Sequence, residues 1–167
     1  MDRGDVIVTV RVRVYVTEDR DRVIRAVANM VRLPQFEVVE KTELYEVIEG
    51  VAYGRECLEP IRRAIRHQKT LDAARSYMIH NMCEHSFSFE LHKQAAYVGV
   101  AVFCSNQSES PLGPISIRIE AENPQAVLDW LATPTVDGVP IDELGKRGLK
   151  GKPVRRRDDM LTGDDFF

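Results

Sequence analysis

The chain has 167 residues, of which 23 are Lys or Arg and 26 are Asp or Glu, for a formal charge of −3. That length fits one domain with a core of its own, and no apolar run approaches the ~20 residues needed to cross a bilayer. The start, Met1 to Val10, lacks the basic, apolar and small-residue regions of a signal peptide, and Cys57, Cys83 and Cys104 have no C-x-x-C spacing, so the expectation is a cytoplasmic protein with reduced thiols and no membrane partner.

Val6 to Val16 reads VIVTVRVRVYV, with valine at every even position. This period of two predicts a strand with a buried valine face. Its other face shows Thr9, Arg11, Arg13 and Tyr15. Thr17-Glu-Asp19 opens a first helix striped with Val23, Val27, Met30 and Val31, which Leu33-Pro34 ends. Phe36 to Ile48 reads as a second strand whose alternation slips, as a bulge or an early end near Lys41-Thr42 would explain.

The stretch Pro60 to Met82 is the longest with a helical period, and a single helix is expected across it. Ile61, Ala64, Ile65, Gln68, Leu71, Ile79 and Met82 share one broad side. Arg62, Arg66 and Lys69 recur at i, i+4, i+7 on the other, flanked by Arg63 and His67. Pro60 to Arg75 holds five basic residues and one acid, Asp72, while the remainder of the chain is acidic. A basic stripe on an acidic protein points to an anion-facing surface, nucleic acid before all else. Arginines that merely solubilise an amphipathic helix are the plainer explanation, and for an arbitrary helix the more frequent one.

Ser86 to His92 alternates with Phe87, Phe89 and Leu91 inward and His92 outward. Lys93 to Tyr97 is a short joint, and Val98 to Cys104 is expected to be a strand buried through Val98, Val100, Val102 and Cys104. A polar loop, 105–113, leads to a strand carrying Ile115, Ile117 and Ile119. Asn123-Pro124 opens a last helix, an Asn cap before Pro at the first helical position, with Val127, Leu128, Trp130 and Leu131 on its apolar side. From Gly145 the chain has seven basic and four acidic residues and reads as a charged flexible tail. The expected organisation is one domain over 1–144 and a tail over 145–167. The expected fold is α+β, in the order β-α-β-α-β-β-β-α, with a mostly antiparallel or mixed sheet and helices on one face. The open sheet face would then show Arg11, Arg13, Tyr15, His92 and Arg118.

Catalytic constellations are weak. His80, Cys83 and His85 gather three ligand types at a helix end, but no fourth residue is spaced for a tetrahedral site, so no metal is expected. No family-type signature surrounds any cysteine, and no phosphate-cradling glycine motif occurs, so neither a nucleophile nor a cofactor is assigned. For Lys93-Gln94-Ala-Ala-Tyr97, tight packing through the alanines competes with a phosphate contact by Lys93.

Leu71-Asp-Ala-Ala-Arg75, Phe89-Glu-Leu-His-Lys-Gln-Ala-Ala96, Phe103-Cys104, Glu109-Ser-Pro-Leu-Gly-Pro-Ile115 and Asp129-Trp-Leu131 resemble blocks of a conserved-hypothetical archaeal family of predicted RNA-binding proteins. The resemblance runs from about Val6 to Ile141, and His92 stands where that family's block has Asn. It implies a fold similar to the ribosomal protein that holds 5S rRNA on the large subunit, and RNA as partner; it implies no active site.

Residues and resemblance together predict a non-catalytic protein that contacts structured, rRNA-like RNA through phosphates. The expected contacts are Arg62, Arg63, Arg66, His67, Lys69, Arg75 and Lys93 on the helical side, with Arg11, Arg13 and Tyr15 on the sheet. A homodimeric interaction module is the first alternative. A small-molecule enzyme built on His92, Lys93 and the Ser108–Pro114 loop is the second.

Overall fold

A computed structural model describes residues 6–105 and 112–144. The chain divides into two compact units, Met1–Ala132 and Thr133–Phe167. In the first, strands β1 (Ile7–Tyr15), β2 (Glu37–Lys41), β3 (Tyr45–Tyr53), β4 (Ser86–Leu91) and β5 (Ile115–Glu120) form one sheet in the order β2-β3-β1-β5-β4. Every pairing in it is antiparallel. The helices are α1 (Arg20–Ala28), α2 (Glu59–His67), α3 (Leu71–His80), α4 (Lys93–Tyr97) and α5 (Pro124–Leu131), with a 3-10 turn at Arg55–Leu58 before α2. The second unit contributes a two-stranded ribbon, β6 (Thr135–Val136) and β7 (Val139–Pro140); the charged segment expected to be a tail lies outside the described residues.

The α+β class with a mostly antiparallel sheet holds. Val8, Val10 and Val12 of β1 lie beside Ile119, Ile117 and Ile115 of β5, which in turn oppose Phe87, Phe89 and Leu91 of β4. These side chains form one buried cluster with Val23 and Val27 of α1, Ile61 and Ile65 of α2, Leu71, Ala74 and Met78 of α3, and Val127, Leu128 and Leu131 of α5. The helices therefore cover one face of the sheet, because each has a single apolar side to bury.

Within that class the order of elements departs from expectation at three points. The long helix is two helices. Lys69 takes φ +60, its N–H donates to Arg66 O, and the Thr70 N–H donates to Ile65 O. That is a Schellman ending with lysine in the left-handed position usually filled by glycine.

The second expected strand is a hairpin. The Thr42 hydroxyl accepts N–H bonds from Leu44 and Tyr45 and closes the turn between β2 and β3. The register also shifts between Val38 and Glu40. Strand β3 then continues through Gly50, where a Cβ would lie 2.8 Å from Leu33 Cδ1, so only glycine lets the strand pass under that loop.

The segment 98–104 is no regular strand, and its phase is reversed at Val98, Val100 and Val102, which are exposed, while Cys104 is buried as expected. Val98 is 71% exposed, whereas Ala101 is buried. The Gln68 side-chain amide donates to Ala101 O at 3.0 Å and accepts its N–H at 2.7 Å, taking the place of a strand neighbour. One bridge, Leu91 to Phe103, ties the segment to β4.

Candidate nucleic-acid interface

The expected contact residues fall on two opposite sides. Helix α2 buries Ile61 and Ile65 toward the sheet, which turns Arg63 and His67 outward; Lys69 of the α2–α3 turn is exposed as well. Arg11, Arg13 and Tyr15 alternate with the buried valines of β1 and so stand on the sheet face that, among the described residues, no helix covers. The two groups make two surfaces.

On the helical side, two of the expected cations bind their own fold. Arg62 donates from Nε to Trp130 O at 2.9 Å, holds its guanidinium 4.9 Å from the Trp130 ring centre, and lies 3.5 Å from Glu59 Oε1. Arg75 pairs with Asp129 at 2.7 Å and donates to Ala132 O at 3.0 Å. Both arginines fasten α2 and α3 to α5 and its C-terminal cap. Arg66 is half-buried, and Arg63 is exposed with Glu59 3.6 Å away. His67 and Lys69 have no ion pair among the described residues.

Sequence reasoning missed two exposed cations on this side. Arg55 of the 3-10 turn places its guanidinium 4.9 Å from the Trp130 ring centre. Arg32 follows α1, and its N–H donates to Cys57 O, which brings it beside that turn. Arg55 lies in the 3-10 turn before α2 and Arg32 beyond the end of α1, both outside the helix expected from Pro60, so tertiary proximity gathers them.

Lys93 is no surface cation. It is 4% exposed, and Nζ donates to Glu18 Oε1 at 3.0 Å, Arg13 O at 2.8 Å and Leu112 O at 2.9 Å, with the Tyr15 ring 5.8 Å away. Burial lowers its pKa below the ordinary lysine value, and the bond to Glu18 partly offsets that. The expected phosphate contact is corrected to a buried tie from α4 to the end of β1. A charge this desolvated is retained because every donor has an acceptor.

The open sheet face is balanced in charge. Arg11 Nε bonds Glu49 across β1 and β3 at 2.7 Å, and Arg118 lies 3.2 Å from Glu120 on its own strand. Arg13 sits 4.7 Å from the Tyr45 ring centre and donates to the Tyr15 hydroxyl at 3.3 Å. That hydroxyl bond holds the guanidinium pKa above its usual value, against the effect of burial. Tyr15 packs its ring 5.3 Å from that of Tyr45. A shallow depression of about 550 Å³ crosses this face, lined by Arg11, Arg118, Glu49, Glu90 and Glu120 among others. His92 is not part of the face: β4 ends at Leu91, and His92 caps α4 half-buried with its N–H donating to Val102 O.

The other reactive side chains lie apart. Cys57 donates to Gly54 O, and burial pushes its thiol up to about 11, which disfavours the thiolate a nucleophile needs. Cys104 is buried and Cys83 exposed. Among the described residues no group of three or more His, Cys, Asp or Glu side chains is placed to hold a metal ion. No helix in them is long and apolar enough to cross a membrane.

A family model described as RNA binding matches residues 7–122, which span the whole five-stranded sheet and α1 to α4. A UPF0201 protein of Aeropyrum pernix is 40% identical over 142 residues, covering 84% of this chain and 94% of the relative. One of Sulfurisphaera tokodaii is 35% identical over 136 residues, covering 81% and 93%. The crystal structure of a UPF0201 protein from Methanococcus jannaschii superposes with a TM-score of 0.69 at 30% identity, covering 80% of this chain and 98% of that one.

Proposed function

We propose, for a chain that belongs to the archaeal UPF0201 family, that it binds structured RNA through the outer side of its helical layer. The partner class rests on the RNA-binding model that spans 7–122. The choice of surface rests on one observation: His67 and Lys69 face outward at the end of α2 with no ion pair among the described residues, and Arg63 beside them is exposed with Glu59 3.6 Å away, whereas the sheet arginines each lie against an acid or an aromatic ring. Arg55 and Arg32 extend the cationic set toward α1. Such cations dock on phosphates, which positions RNA without reading its sequence. A folded RNA presents phosphates at fixed spacings to a rigid helix, so recognition by shape follows.

No reaction is assigned; the protein acts as a binding module in the cytoplasm. The expected resemblance to the ribosomal protein that holds 5S rRNA makes an rRNA-like fold the first ligand to try.

Fluorescence anisotropy across salt, with a structured RNA, a single-stranded RNA and a DNA duplex, tests the proposal. The Arg63→Glu, His67→Glu, Lys69→Glu triple variant is expected to lose the structured RNA. Its neutral counterpart, with Gln at all three positions, should shed about two units of salt slope, roughly one per phosphate-bound cation. A native, folded protein that fails to bind any RNA at low salt overturns the reading.

A further inference from the structure

The two edges of the sheet are treated differently by the chain. At β4 the Cys83 N–H donates to Ser86 O, the Cys104 N–H donates to Glu90 O, and Leu91 bridges to Phe103, so that edge is covered by its own flanking segments. At the other edge, all five residues of β2 are exposed. Among the described residues no segment pairs with the outer side of that strand. Val38 is 44% and Val39 40% exposed, so neither side of the strand is covered. A bare edge with apolar side chains is a template for pairing with another strand.

The charges of β2 select the occupant. Its sequence is Glu37-Val38-Val39-Glu40-Lys41. Two copies aligned in parallel, in register, would set Glu37, Glu40 and Lys41 each against its own kind. An antiparallel pairing slipped by one residue would either set Glu37 against Glu40, or leave Glu37 outside the ladder and set Glu40 and Lys41 against the valines. The antiparallel pairing centred on Val39 engages all five residues and sets Glu37 against Lys41 of the partner subunit, twice, by the two-fold axis.

The ladder behind the strand leaves that charge wanting a partner. Glu37 stands directly opposite Glu49 on β3, a like-charge pair, and Glu49 is already bonded to Arg11. A lysine arriving at Glu37 neutralises the remaining carboxylate. The bulge between Val38 and Glu40 and the charges around it are devices that normally keep an edge from stray pairing. Here they disfavour the parallel register and one of the two slips, and only the centred register both pairs all five residues and opposes unlike charges.

We infer that β2 is a dimerisation edge, through which two copies of this chain pair antiparallel about Val39 and join their sheets into one. This holds independently of RNA binding, which the opposite, helical side would carry.

Sedimentation velocity on the full chain, over concentrations spanning about micromolar Kd, with charge-swapped variants, provides the test. The native chain should dimerise. Lys41→Glu and Glu37→Lys should each weaken the dimer about tenfold or more, because each creates two like-charge contacts. The Glu37→Lys, Lys41→Glu double variant should restore it. All three variants change only exposed positions and leave the monomer folded, which circular dichroism checks. A native chain that stays monomeric overturns the inference, and so does a dimer that neither single variant weakens. Protection of the Val38 to Glu40 amides from exchange in a monomer would mean that another part of the chain covers the edge, and would overturn it equally.

Discussion

The outer side of the helical layer and the open face of the sheet use the same residue types with opposite results. Strands β1 to β5 hold four basic residues, Arg11, Arg13, Lys41 and Arg118, among six glutamates. Cross-strand neighbours stand about 5 Å apart, so Arg11 meets Glu49 directly, and Arg13 reaches diagonally to the Tyr45 ring on β3. Helices α1 to α3 hold seven arginines against Asp21, Glu59 and Asp72. Some of these reach inward to backbone carbonyls, as Arg62 and Arg75 do, Arg66 is half-buried, and Arg20, Arg22, Arg25 and Arg63 are exposed. Counting cations thus misjudges both surfaces. What a cation can bind depends on which neighbours the fold has already given it.

The largest effect expected from probing this contrast belongs to the residue between the two surfaces. Lys93→Met removes the ammonium from Glu18 and leaves a carboxylate buried, so unfolding in urea should show stability falling by about 3–5 kcal/mol. Adding Glu18→Gln should recover part of it, and the folded fraction should bind RNA as the native chain does. Arg62→Ala comes next, at about 1–3 kcal/mol, because the variant forms neither the hydrogen bond to Trp130 O nor the cation–π stack on its ring. The emission of Trp130, the single tryptophan, should shift in that variant.

Lys69→Gly should do the reverse. A left-handed backbone costs lysine about 1 kcal/mol that glycine does not bear, so thermal stability should rise while RNA affinity falls as one phosphate-binding cation is removed. That divergence separates binding from folding at one position. The smallest effect is expected on the sheet. Arg11→Ala with Arg118→Ala removes exposed pairs that contribute at most about 1 kcal/mol each. Anisotropy should find RNA binding within about twofold of native; a larger drop would move the RNA site to the sheet.

Much of the frame was legible because it rests on local periodicity. The valine alternation holds from Val6 to Val14, each even valine lying inside, and fails only at Val16, which lies beyond the end of β1 and is exposed. The last helix starts where Asn123 and Pro124 predict, with the Asn123 side chain accepting the Ala126 N–H. The break at Lys69 was hidden because the apolar period continues across it and no glycine marks it. The phase of 98–104 was hidden because the partner that sets it, the Gln68 amide, is more than thirty residues away. Likewise no spacing along the chain announces that Arg55 and Arg62 meet on Trp130.

The sequence by itself determined the α+β class, the buried valine face and a basic segment after Pro60, since each follows from side-chain period and composition. The tertiary structure alone decided which cations remain available. Arg62, Arg75 and Lys93 are drawn inward by carbonyls and carboxylates from distant segments, and Arg11, though exposed, is paired with a glutamate on the neighbouring strand. Arg63, His67 and Lys69 stay outside because α2 has only one apolar side to bury. The pairing of a charge is a property of three-dimensional neighbourhood, and sequence spacing carries it only within a helix turn or along one strand.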